Sequence, residues 1–72
     1  MEIYKIRVFN PADYEAAAQY ICNWLNEHFQ SCYDYVEQHR EIAAVIPVNI
    51  NGLDLYNQRF ERIGYLQLVS YV

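Results

Sequence analysis

Four residues with metal-ligand or nucleophile chemistry fall within eighteen positions: Cys22, His28, Cys32 and His39. Thiolates and imidazoles hold structural zinc, one way a short chain gains stability. The spacing opposes that role, because no close C-x₂₋₄-C or H-x₃₋₅-H pair occurs. If residues 11–30 are helical, Cys22 and His28 point about 120° apart and cannot face one ion. On the same reading Cys22 and Cys32 are separated by roughly 15 Å of helix rise, too far for the ~4.4–6.8 Å that a disulfide spans. These four read as buried cysteines and half-buried histidines at helix borders, so no metal and no cofactor is expected.

A thiol–imidazole pair of Cys32 and His39 lacks an orienting third group, and Asp34 and Glu37 nearby raise a thiol pKa rather than lower it. The carboxylates Asp34, Glu37 and Glu41 could pair for acid–base work, but with Arg40 beside them they read as a solvated face. Gly52 and Gly64 stand alone, and the chain has no phosphate loop, no G-x-S-x-G elbow and no H-E-x-x-H motif. No catalytic residue is assigned, and the chain is not expected to be an enzyme.

The element that must organise these side chains is residues 11–30, read as one long amphipathic helix. Asn10 is a good N-cap, Pro11 suits the first helical position, and Asp13 places negative charge in the first turn. At about 100° per residue, one arc holds Trp24, Ala17, His28, Ile21, Tyr14, Leu25, Ala18, Phe29 and Cys22. The opposite arc is largely polar, so the first arc is the face that meets the core.

Before the helix, residues 2–9 alternate as a strand whose core face is Glu2, Tyr4, Ile6 and Val8, leaving Lys5 and Arg7 outside. After it, residues 31–46 read two ways. Ser31 and Asp34 resemble a capping box, and counting matches to each template favours a helix over 34–43. The alternative is a strand at Tyr33–Val36 that pairs back against 42–50 across a turn near His39-Arg40. Asn51-Gly52 lies between apolar runs and predicts a type I′ hairpin that sets Ile50 opposite Leu53 and Val48 opposite Leu55. A short helix over 55–62, capped by Asp54, is the second reading there. Residues 63–72 form the last strand, with Leu66, Leu68 and Val72 turned inward and Tyr65 and Tyr71 sharing the other face. The expected fold is therefore a single α+β domain over residues 1–72. One helix packs on an antiparallel sheet, and a short second helix is the open question.

Composition bounds the function. Seventy-two residues, 54% of them hydrophobic, with eight tyrosines and 19% charged residues, argue against disorder. So small a body hides its apolar and tyrosine surface incompletely, which points to a protein partner. The net charge is −4, and residues 11–41 carry six acids against Arg40 alone. Five scattered bases do not make the basic face that nucleic acid needs. No apolar run approaches a membrane span and nothing resembles a signal peptide, so a cytoplasmic location without membrane contact is expected.

The function expected is a small acidic protein-binding module, an inhibitor or adaptor of the kind mobile elements such as phages encode against host machinery. Its candidate interface is Tyr33, Asp34, Tyr35, Glu37, Glu41, Tyr65 and Tyr71. The partner would present a basic patch to the acidic group. The alternatives are a homodimer built on the tyrosine face of the last strand or on a sheet edge, and a small-ligand or metal binder under Trp24 and His28.

Overall fold

The structure is a computed structural model that describes residues 1–29 and 33–72. Strand β1 (Glu2–Val8) leads through a 3₁₀ turn at Pro11–Asp13 into helix α1 (Tyr14–His28). Then come β2 (Tyr33–Val36), a second 3₁₀ turn at Glu37–His39, β3 (Glu41–Ala44), β4 (Asp54–Tyr56) and β5 (Arg62–Tyr71). The strands form one sheet in the order β2-β3-β1-β5-β4 with every neighbour antiparallel. Strands β1 and β2 therefore run parallel with β3 inserted between them, a split βαβ unit.

Helix α1 forms where its residues dictate. The Asn10 side chain accepts the Ala12 N–H at 3.0 Å, and Pro11 opens the first turn, which is 3₁₀ rather than α. The predicted apolar arc supplies Ala17, Ala18, Ile21 and Leu25 to the core, while its one imidazole, His28, stays exposed. These side chains meet Tyr4 and Ile6 of β1, Ile42 and Ala44 of β3, Leu55 of β4 and Leu66 of β5. Helix α1 covers one face of the sheet among the described residues, and the other face carries Lys5, Arg7, Glu41, Tyr65 and Gln67.

The helix expected over 34–43 is replaced by a hairpin. Tyr33 pairs with Ala44, Tyr35 with Ile42 and Val36 with Glu41, and Arg40 closes the turn at φ 54°. Sheet pairing buries Ile42 and Ala44 on one face, which outweighs the modest helix propensity of this segment. The short second helix reduces to the three residues Glu37–His39. Ser31 and Cys32, which entered the capping-box and thiol readings, lie outside the described residues.

The Asn51-Gly52 turn is present, but it joins different partners from those expected. Leu53 N–H donates to the Ile50 carbonyl at 3.0 Å. Gly52 has φ +85° while Asn51 is not in the left-handed region, the pattern of a type II rather than a type I′ turn. Gly52 N–H donates to the Leu66 carbonyl, Leu66 N–H to the Leu53 carbonyl, and Leu68 N–H to Asn51 Oδ1. The turn is thus sewn onto β5. Residues 45–50 make no ladder strand; they cross the sheet end with Ile46 and Ile50 buried. Strand β4 pairs with β5, so the helix over 55–62 does not form.

Candidate interaction surface

The predicted interface residues start on β2, the outermost strand on one side of the sheet. Its register divides them. Tyr33 and Tyr35 lie opposite buried Ala44 and Ile42, on the helix side, whereas Asp34 and Val36 share the open face with Ala43 and Glu41. Glu37 stands exposed in the turn beyond β2, and Glu41 is half-buried between Val36 and Lys5 in the sheet. Asp34, Glu37 and Glu41 thus form an acidic margin along one edge, but not the shared helical face from which Glu37 and Glu41 were expected to project.

Two bases lie near this margin: Lys5 stands opposite Glu41 on the open face, and Arg40 is turned elsewhere. Arg40 sits at the left-handed end of the turn, where its carbonyl accepts the Ile6 N–H at 3.0 Å. Its guanidinium lies 4.4 Å from the centre of the Tyr14 ring, a cation–π contact. The Tyr14 and Tyr35 hydroxyls are 2.6 Å apart and tie the edge strand to α1. Burial first, and then the hydrogen bond to Tyr35, push the Tyr14 phenol well above its ordinary value, against the opposing pull of Arg40.

Tyr33 reaches the Cys22 carbonyl with its hydroxyl at 3.5 Å, a long contact. Burial raises the Cys22 thiol pKa, so it sits in no setting that activates a nucleophile. Trp24 and His28 line a hollow of about 420 Å³ together with Tyr20, Asn23 and Glu27. The two rings stack at 4.2 Å, and His28 Nδ1 lies 2.9 Å from the Trp24 carbonyl. His39 is exposed in the 3₁₀ turn. Among the described residues, no three or more His, Cys, Asp or Glu side chains come together as a metal group would require.

The tyrosine face of the last strand does not exist as one face. Lys5 pairs with Gln67 and Tyr4 with Leu68, but Ile3 pairs with Ser70, which leaves Val69 as an extra residue. This bulge inverts the alternation beyond it. Tyr65 stays on the open face near Phe9, with ring centres 6.3 Å apart. Tyr71 pairs with Glu2 and falls on the helix side, 73% exposed. Val72, expected inside, is exposed.

A second cluster escaped the sequence reading. The loop 57–61 joining β4 to β5 carries Phe60 at 86% exposure, and Phe9 beside it is 59% exposed. Arg62 is held by Asp54 at 2.6 Å and lies 5.0 Å from the Phe9 ring centre. The available signal was Asn57 at the head of a polar run, a residue that caps turns through its own side chain.

The fold is that of a two-layer α+β protein in which, among the described residues, no helix covers the second sheet face. The chain matches no protein-family model, no curated protein and no solved structure. Among the described residues, no helix is long and apolar enough to cross a membrane.

Proposed function

We propose that this chain is a small acidic protein-binding module, an inhibitor or adaptor, that docks through β2 and the turn following it. The observation that supports this reading is the position of β2. It ends the sheet, no described strand pairs with its outer side, and Asp34 and Glu37 stand exposed along it. An edge strand offers backbone donors and acceptors to an incoming strand. The acids beside it select a basic partner surface, including one whose usual ligand is nucleic acid. The same reading places the protein in the cytoplasm, among the compact acidic proteins that mobile elements direct at host machinery.

The test begins with capture of partners from the native host and their identification by mass spectrometry. Glu37→Lys combined with Glu41→Lys then weakens capture of the identified partner by about tenfold and flattens its salt dependence. Exposed Glu37 contributes within about 0.5 kcal/mol. Glu41→Lys sets a like charge against Lys5 across the strands and lowers the unfolding midpoint modestly, so capture is measured where the variant is folded. Undiminished capture by the folded double variant rejects this edge as the docking site.

A further inference from the structure

We propose that the tip of the β4–β5 hairpin is a self-association surface whose occupant is a second copy of this chain, related by a two-fold axis. Phe60 carries the inference. Its φ is 61°, in the left-handed region that a bulky side chain occupies only at a cost. Its ring is 86% exposed, so within one molecule no burial of the side chain offsets that cost.

The conformation is held firmly. Phe60 N–H donates to the Asn57 carbonyl at 3.0 Å, and Asn57 N–H donates to the Glu61 carbonyl at 3.1 Å. Asn57 Oδ1 accepts from both Arg59 N–H and Glu61 N–H, while Asn57 Nδ2 donates to Glu61 Oε1. An observed backbone outlier in a rigid, projecting aromatic points to a use outside the monomer.

Beside this knob lies its complement. A hollow of about 610 Å³ is lined on its apolar side by Phe9, Ala16 and Ile63, and Phe60 is not part of its wall. The charged side chains that line it balance: Arg59 and Arg62 against Asp13 and Glu61. A balanced patch does not select nucleic acid or an acidic peptide, both of which need net positive charge. Across a two-fold axis it complements itself, since Arg59 of one copy meets the acids of the other. Asp54 already holds Arg62, so Arg59 is the arm that reaches across. The hairpin stands on the opposite side of the sheet from β2, so such a dimer leaves both acidic edges free.

Sedimentation of the full chain from about 10 µM to about 1 mM tests the proposal, because one aromatic anchor per side gives affinities in that range. The expected result is a monomer–dimer equilibrium that Phe60→Tyr retains and Phe60→Asn weakens by at least about tenfold. Asparagine adopts φ > 0 readily, so Phe60→Asn keeps or raises the unfolding midpoint, which separates lost association from lost folding. Ala16→Trp fills the hollow and also abolishes self-association. Mixed with Phe60→Asn it forms a 1:1 pair through one of the two contacts, weaker than the wild-type dimer but tighter than either variant alone, since one protein keeps the knob and the other the hollow. Three results would each overturn the inference: a wild-type chain monomeric at the highest concentration, unchanged association of Phe60→Asn, or assembly continuing past the dimer. The Glu37→Lys/Glu41→Lys variant dimerises normally, so failure of the edge-docking reading and failure of this one are distinguishable.

Discussion

Gly64 is buried in β5 opposite Val8 of β1. A Cβ there would collide with the Arg7 carbonyl oxygen and lie 3.0 Å from the Arg7 carbonyl carbon. Those are backbone atoms of the central strand, so they cannot swing aside as a side-chain end would. Gly64→Ala is therefore expected to cost about 3 kcal/mol or more, the upper end for overpacking. Urea denaturation followed by circular dichroism checks this, and a cost below 1 kcal/mol would show that the two strands part easily. Sequence alone marked Gly64 only as isolated. Its role depends on a strand 56 positions away.

Helix α1 is the element on which the sheet closes. Ile21 and Leu25 are fully buried, and they are the centre of the arc that periodicity assigns to the core. Leu25→Ala removes buried volume that the neighbouring strands fill only in part, at a cost of about 2–5 kcal/mol. A core of this size supplies only about 3–5 kcal/mol of net stability. The variant is thus expected to be largely unfolded at 25 °C, read as loss of near-ultraviolet dichroism and of amide protection. Native-like signals would mean that the helix contributes less than its burial implies. The hairpin elements behave differently. Tyr33–Val36 and Glu41–Ala44 carry residues suited to both helix and strand, and the pairing partner decides between them.

At the scale of the whole molecule, the radius of gyration of 11.2 Å is that of a compact chain of this length. Packing eight tyrosines into so small a body has a consequence for pH. Burial is the first cause that raises the pKa values of Tyr4, Tyr14, Tyr20 and Tyr33 above 10.0, and that of the Cys22 thiol above 9.0. In each group the folded state favours the neutral form, so above these values the unfolded chain binds fewer protons than the folded one. Stability is fully present below the unfolded values and falls as pH rises through about 9 and 10. Alkaline titration should show the phenolate absorbance of these four tyrosines rising together with loss of far-ultraviolet dichroism, as one cooperative step. Independent, gradual ionisation with the fold intact would contradict this.

What the sequence determined by itself is whatever short-range physics decides. The Asn10-Pro11 start, the apolar arc from Tyr14 to Leu25, the Tyr4–Ile6–Val8 face of β1 and the turn at Asn51-Gly52 all follow from local conformational preference and periodicity. The acidic residues of the candidate edge, Asp34, Glu37 and Glu41, were equally visible as residue types. Only the tertiary structure decided which faces they share. The bulge at Val69 sends Tyr65 and Tyr71 to opposite sides, the pairing of 33–36 with 41–44 makes a strand where a helix was favoured, and the turn at Gly52 docks on β5. Phe60 acquires its meaning only from a strained backbone held by Asn57. Pairing register and strand order are fixed by contacts between residues far apart in the chain. A one-residue shift in register inverts every side chain that follows, and no local pattern records it.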